Sequence, residues 1–349
     1  MKSNLANMNS TVLEDPGVVV SSFGIVLLLK VLVVGVPVAV VVQYIWDFLF
    51  VVVLTLYYVV EGSIKAVLPS GVLPRKDVRG KVILITGTGS GIGRLSAIRF
   101  GELGARVVLW DVNEKLNLET LAILKKNGVD ATAYTVDISN RHAIYEAADK
   151  VKQEVGDVDI LFNNAGIVSG KKIFDNNDDL MEKTVAVNTT SLFFTTKAFL
   201  PKMLVKNEGH IVTLASMAGK SGTAGLVDYC ASKFGAVGFN ESLRAEMASL
   251  GKNIHVTTIC PYYINTGMFD GVETYAPLCL PILEPEYVVD RIVEAILTNQ
   301  ADLYLPRFCY TLAACAAFLP YKASFTVAQY LGVHRTMDHF TGRTAKKTN

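Results

Sequence analysis

Val82-Ile83-Leu84-Ile85-Thr86-Gly87-Thr88-Gly89-Ser90-Gly91-Ile92-Gly93 is a short apolar run that breaks into a glycine turn, and a helix-like segment, residues 94–101, follows at once. Four apolar residues bounded by turn formers read as a buried parallel strand. Strand, glycine turn and helix in that order form a cradle in which backbone N–H groups and a helix N-terminus receive a pyrophosphate. The glycines that matter, Gly87, Gly91 and Gly93, follow the spacing GxxxGxG rather than strict GxGxxG. Taken alone, such a turn is also an ordinary flexible loop.

The flanking sequence decides between the two. A second apolar run, residues 106–110, ends at Asp111, 24 residues beyond Gly87. An acid at the tip of the second strand accepts hydrogen bonds from ribose hydroxyls and repels a 2′-phosphate, which favours NAD over NADP. The competing reading is that Asp111 only caps the next helix. No basic residue stands at Thr88 or Ser90 to welcome a phosphate. A third strand, residues 131–136, precedes Asp137, placed to meet an adenine edge, and a fourth, residues 159–162, closes on Asn163-Asn164-Ala165-Gly166. Alternating strands and helices of this length predict an α/β fold built on a doubly wound parallel sheet.

Further along, residues 210–214 read as another buried strand ending at Ala215-Ser216, and Tyr229 follows thirteen residues later. Of the fourteen tyrosines, only Tyr229 has a lysine, Lys233, four positions on. That interval puts both side chains on one helix face. A free phenol has a pKa of roughly 10, so a tyrosine that takes a proton from an alcohol near neutrality needs an adjacent cation. Lys233 is positioned to be that cation, although an isolated Tyr/Lys pair is more often a solvated helix face.

These motifs together resemble the short-chain dehydrogenase/reductase family, which has a Rossmann fold. The matching residues are 86–93, 163–166, Asn188, Ser216 and Tyr229-x-x-x-Lys233, in that order, within a stretch covering residues 80–305. The resemblance implies that Tyr229 is the general acid/base, that Lys233 lowers its pKa and contacts the nicotinamide ribose, that Ser216 holds the substrate oxygen, and that Asn188 helps position a relay water. It places NAD along Gly87, Ser90, Gly91, Ile92, Gly93, Asp111, Asp137, Asn164, Ala165, Gly166 and Thr266, together with Tyr229 and Lys233. One departure stands out: the family's usual Pro-Gly is here Pro261-Tyr262. The stretches 109–113, 194–201 and 228–235 resemble, more narrowly, the membrane-associated retinol and 17β-hydroxysteroid dehydrogenase branch.

Composition limits the alternatives. A net charge of +1 and the lack of a basic stripe interleaved with aromatics argue against a nucleic-acid partner. Cys230, Cys260, Cys279, Cys309 and Cys315 form no CxxC pair and no Cys/His cluster, so neither a metal site nor a disulfide framework is indicated. Apolar content of 51% points to membrane contact. Residues 18–60 are almost continuously apolar, with only Lys30 and Asp47 charged. About 20 such residues span a bilayer, so this stretch forms either one tilted span with an interfacial flank or a hairpin of two spans turning at Gly35-Val36-Pro37. A signal peptide is the competing reading, disfavoured by the run's length.

The expected domain plan is an N-terminal tail (1–17), a membrane segment (18–60), a linker (61–79), the dinucleotide domain (80–305) and an apolar C-terminal segment with a basic tail (306–349). Lys2, Glu14 and Asp15 precede the apolar run, and Lys65, Arg75, Lys76, Arg79 and Lys81 follow it. The positive-inside rule then keeps the following domain in the cytosol. The acceptor sequences at Asn188 and Asn240 agree, because a glycan there would damage the expected site. A third, at Asn9, offers a test of N-terminal orientation.

Between residues 263 and 284 the sequence is loop-like, with Met268, Phe269, Tyr275, Leu278, Leu280, Ile282 and Leu283. An apolar substrate lid and ordinary packing both explain it. Residues 304–333 read either as an amphipathic segment on the bilayer near the site mouth or as a homodimer interface. The tail residues Arg343, Lys346 and Lys347 add weak affinity for an anionic surface. The expected function is a membrane-bound NAD-dependent dehydrogenase for a lipid alcohol, most simply all-trans-retinol to retinal, at the endoplasmic reticulum or a lipid droplet. The alternatives are a 17β-hydroxysteroid or other lipid-alcohol dehydrogenase, and a non-catalytic membrane or lipid-droplet scaffold.

Overall fold

A computed structural model describes residues 38–67 and 71–342. The proposed turn at Gly35-Val36-Pro37, Lys30, the N-terminal tail with Asn9, and the basic residues Arg343, Lys346 and Lys347 lie outside the described residues. The chain divides into two compact units, one holding the segment up to Pro74 with Ala248–Gly251, the other Arg75–Met247 and Lys252–Asn349.

In the first unit, α1 (Val38–Val67) is a single 30-residue helix. Its stretch Val40–Gly62 is long and apolar enough to cross a membrane, and none of it is buried in the protein. Asp47 accepts a hydrogen bond from Gln43 Nε2 one turn earlier, at 2.9 Å, which offsets part of the cost of a carboxylate in apolar surroundings. The helix passes the boundary expected at residue 60 and continues through Val67.

The second unit is built on a seven-stranded parallel sheet in the order β3-β2-β1-β4-β5-β6-β7. The strands are β1 (Val82–Thr86), β2 (Arg106–Asp111), β3 (Ala131–Thr135), β4 (Ile160–Asn163), β5 (Gly209–Leu214), β6 (Ile254–Pro261) and β7 (Asp302–Leu305). Helices α2 (Gly91–Glu102), α3 (Glu114–Lys126), α4 (Arg141–Glu154), α5 (Asp178–Val185), α6 (Ser191–Lys206), α7 (Val227–Ser249) and α8 (Pro285–Leu297) flank it. Beyond β7 come α9 (Phe308–Phe318) and α10 (Tyr321–Tyr330).

Every residue of β1 is buried, which is why its run is continuously apolar rather than alternating. Ile83 and Ile85 enter one core with Phe100 of α2 and Val288, Ile292 and Ile296 of α8. Val82 and Leu84 enter the opposite core with Ile144 of α4, Phe199 of α6 and Met247 of α7. Each such side chain contributes about 1.5–3 kcal/mol on burial, so the sheet is fixed from both faces. Strand order reverses between β1 and β4, and the crevice beyond the C-terminal ends of these strands is where such sheets bind ligands.

Candidate active site

The glycine turn is held from three sides. Asn164 Nδ2 donates to the Thr86 and Gly87 carbonyls at 2.7 and 3.2 Å, and Thr86 Oγ1 accepts from the Asn164 and Ala165 amides, both at 3.0 Å. Gly87 N donates to Trp110 O at 2.7 Å. These bonds pin the end of β1 to β4 and β2. A Cβ at Gly93 would overlap the Gly87 carbonyl oxygen, so the first turn of α2 approaches this closely only because residue 93 is glycine. Ser90 occupies the N-cap of α2 without making a side-chain cap bond. Ser90, Gly91, Ile92 and Gly93 line the crevice, where the first-turn N–H groups form an anion cradle.

Asp111 sits beside this cradle, and its two carboxylate oxygens accept from Gly89 N and Asn113 N, each at 2.8 Å. The cap of α3 is Asn113, whose side chain accepts from Leu116 N at 3.0 Å. Asp111 is thus free of the capping duty that competed with a ribose-binding reading. Asp137 accepts from Ser139 N and Oγ at 2.9 and 2.6 Å. Burial works against its charge, but these bonds and Lys183 hold its carboxyl below the usual range. Thr266 stands over the turn, its Cβ 3.5 Å from where a side chain at Gly91 would begin. The cradle, the acid at β2 and the glycine-only approach fit a dinucleotide.

One cavity of about 540 Å³ joins these residues to the catalytic candidates. It is lined by Gly87, Ser90, Gly91, Ile92, Gly93, Asp111, Asp137, Asn164, Ala165, Gly166 and Thr266, and by Ser216, Tyr229 and Lys233. Tyr229 and Lys233 lie on the buried face of α7. Lys233 Nζ donates to Leu214 O at 2.7 Å and lies 5.6 Å from the Tyr229 ring centroid. Burial lowers the Lys233 pKa to about 8, which leaves it largely protonated at neutrality. Burial also drives the Tyr229 phenol well above its ordinary value, with the Ser216 hydroxyl pulling the other way. In the protein alone, desolvation therefore outweighs the lowering of the phenol pKa expected from Lys233. Ser216 Oγ accepts from Ala218 N at 3.1 Å, which fixes its side chain beside the tyrosine.

Asn188 does not line this cavity. Its Oδ1 accepts from Ile167 N and its Nδ2 donates to Ile167 O and Ser232 Oγ, all at 2.9 Å. The side chain is spent on these bonds. Asn188 lies in a π-turn, Ala186–Thr190, a local irregularity often found at functional sites. With the side chain so engaged, any hold on a relay water is left to the backbone. A Cβ at Gly166 would come within 3.2 Å of Asn188 Oδ1 and 3.5 Å of Lys233 Nζ, so Asn188, Gly166 and Lys233 are close neighbours.

Tyr262, at the position of the family's usual glycine, packs against the core beneath α8 and lines the cavity. Burial raises its pKa to about 12, partly offset by Thr274. The cavity's far wall was not expected. Leu312, Ala313 and Ala316 from α9 and Leu319 just after it, with Val327 and Ala328 from α10 and Leu331 in the turn that follows, complete the pocket. The i, i+3, i+4 recurrence of small and apolar residues along 312–331 was the available signal. Exposed apolar bulk on the same segment (Phe318, Tyr321, Tyr330) hid which face turned inward. Cys230, Cys260 and Cys309 are buried, and the cysteines form no disulfide. No cluster of potential metal ligands occurs among the described residues.

Residues 81–275 match the model of the short-chain dehydrogenases. The chain is 48% identical to human epidermal retinol dehydrogenase 2 over 294 residues, 84% of this chain and 94% of that protein. It is 41% identical to zebrafish (Danio rerio) retinol dehydrogenase 10-B, over 78% of this chain and 88% of that protein. Among solved structures, a short-chain dehydrogenase/reductase from Burkholderia phymatum in complex with NAD is similar at a TM-score of 0.63 and 27% identity, covering 68% of this chain and 93% of that one. A metagenomic short-chain oxidoreductase in complex with NADP follows at 0.55 and 27%, over 66% of this chain and 96% of that one. With the glycine turn, the Ser216, Tyr229 and Lys233 cluster and these likenesses in place, the chain belongs to the short-chain dehydrogenase/reductase family, as a nicotinamide-dependent oxidoreductase.

Proposed function

We propose that this protein oxidises a retinoid-like lipid alcohol with NAD, most simply all-trans-retinol to retinal. The carrying observation is the continuity of the cavity, in which cofactor cradle, Tyr229 and the uncharged wall of α9 and α10 share one space. A long alcohol with an apolar far end fits that wall. A steroid brings a second oxygen to it, where the cavity residues of α9 and α10 offer the Ser324 hydroxyl and little else polar. Relatives named retinol dehydrogenases support the same choice.

Gly87, Ser90, Gly91, Ile92 and Gly93 would hold the pyrophosphate, Asp111 the adenosine ribose, Asp137 the adenine edge, Asn164, Ala165 and Gly166 the middle of the cofactor, and Thr266 the nicotinamide amide. NAD, when bound, supplies the hydride acceptor and, in oxidised form, a positive charge. Tyr229 takes the alcohol's hydroxyl proton as the carbinol C–H leaves as hydride with its electron pair, giving the aldehyde. Ser216 donates to the same oxygen and stabilises its developing charge. Lys233 keeps its positive charge beside the phenol and, with the backbone at Asn188, passes outward the proton that Tyr229 has taken from the alcohol. Asn188, Ser216, Tyr229 and Lys233 are thus assigned as the catalytic set.

The α1 span tethers the enzyme to a bilayer, where a dissolved substrate is concentrated. We assign the catalytic domain to the cytosolic face of the endoplasmic reticulum, with lipid droplets as a second location. Arg75, Lys76, Arg79 and Lys81 follow the span. Asn188 and Asn240 are 2% and 0% exposed and cannot carry glycans in the folded domain. We keep the domain plan of a membrane segment over 18–60, a linker over 61–79 and a dinucleotide domain over 80–305. Phe318, Tyr321 and Tyr330 stay exposed on residues 304–333 while the other face of that segment lines the cavity, so we assign the outer face either to the bilayer surface or to a homodimer interface. Microsomal protein assayed with NAD, retinol and a 17β-hydroxysteroid tests the reading. Retinol should be the better substrate; steroid preference would favour the other branch, and no turnover of any lipid alcohol a scaffold.

A further inference from the structure

The chain beyond α10 does not trail away. Residues 333–342 cross back over the substrate loop that joins β6 to α8. Thr341 N and Gly342 N donate to Asp270 O at 2.9 and 3.1 Å, and Glu273 N donates to Thr336 O at 3.2 Å. The Thr336 hydroxyl, 1% exposed, shares a 2.9 Å hydrogen bond with Tyr263 OH. The Phe340 ring fills the place that a side chain at Gly170 would take, and Gly170 has φ +65°, a region that favours glycine. Met337 packs into the cluster of Leu226, Tyr229 and Cys230, together with Phe269.

An aromatic chain connects this strap to the catalytic tyrosine. Phe340 lies 6.3 Å from Phe269, and Phe269 lies 5.7 Å from Tyr229 with its ring nearly perpendicular. Tyr263 contacts Phe269 at 5.1 Å. Such edge-to-face pairs fix ring orientation as well as burying area.

We infer that residues 333–342 are a positioning strap for catalysis, in which Phe340 and Met337 hold Phe269 against Tyr229 and keep water from the phenol. The inference rests on Tyr229 being the acid/base of the proposed reaction. It adds a further task for the C-terminal region, since the strap acts on the catalytic group while α9 and α10 wall the substrate end.

The test uses the phenol as reporter. Oxidation needs the phenolate, so kcat/KM rises with pH through the tyrosine's titration, and exclusion of water holds that midpoint high. Around Tyr229 stand Lys233, Cys230 and Asp228 from α7, Cys260 from β6 and Tyr263 from the loop, with Ser216 beside the hydroxyl. The strap carries His334, Arg335, Asp338 and His339. Phe340→Ala removes none of these groups, so a moved midpoint reports water.

The full-length chain in detergent, with NAD and retinol, should show the Phe340→Ala midpoint lowered by roughly half a pH unit or more. Phe340→Leu should keep it near wild type, and melting temperatures should stay within about 5 °C. Met337→Ala repeats the test should Phe340→Ala fail to fold. A lower melting temperature or higher KM with an unmoved midpoint overturns the strap's role. Tyr229→Phe, measured alongside, separates the two readings: full turnover there sinks the proposed function, whereas an inactive Tyr229→Phe with an unmoved Phe340→Ala midpoint sinks the strap alone.

Discussion

At the cofactor end of the cavity, Gly87, Asp111 and Gly166 come from the tips of β1, β2 and β4 and act largely through backbone or short polar groups. At the substrate end, the walls come from the loop around Phe269, from α9 and α10, and from the strap, and they act through apolar bulk. The first end tolerates almost no change in backbone space, while the second is a surface whose shape is set by side-chain volume. Substitutions at the two ends should therefore fail in different ways.

Gly93→Ala should have the largest effect. Its new Cβ meets the Gly87 carbonyl, which cannot rotate aside. NAD binding should fall below detection by titration, and stability by about 1–3 kcal/mol. Retained NAD affinity would break the idea that the cofactor end is fixed by backbone approach.

Lys233→Met, at the junction of the two ends, should cost turnover roughly a hundredfold or more without lowering the melting point at pH 7. Its pKa is lowered by burial to about 8 from 10.5, so between these values the unfolded chain binds more protons. The burial cost of Lys233 is full below about pH 8 and fades as pH rises toward 10.5. Wild type should gain stability between pH 8 and 10 relative to Lys233→Met, as melts at both pH values would show.

Asp111→Ala should weaken NAD by about tenfold, roughly the worth of one charge-assisted hydrogen bond, and narrow the preference over NADP. Unchanged relative affinities for the two cofactors would return Asp111 to a structural role. At the opposite end, Ala316→Leu should leave NAD affinity alone and raise KM for retinol by roughly fivefold, with little change for a short alcohol. Equal effects on both alcohols would erase the distinction between the ends.

The same contrast explains what could be read from the chain. The sheet, the glycine turn and the Tyr229/Lys233 pair were legible because each is a local pattern with a local cause. Asp111 was legible as an acid at a strand tip, though only the structure shows Asn113 taking the capping duty. The wall of α9 and α10 was not, because its inward alanines are unremarkable residues whose meaning depends on β7 delivering them above the crevice. Nor was the strap: Phe340 matters because Gly170, 170 residues earlier, leaves room for its ring. The pKa of Tyr229 was expected to fall beside Lys233, yet burial of the whole helix face dominates.

The most direct measurement is NAD-dependent formation of retinal from retinol by microsomes carrying the wild-type chain or Tyr229→Phe. Wild type should form retinal and NADH in equal amounts, and Tyr229→Phe should lose about 10²–10⁴-fold in kcat while still binding NAD. Full turnover by Tyr229→Phe would contradict the assignment of the catalytic centre.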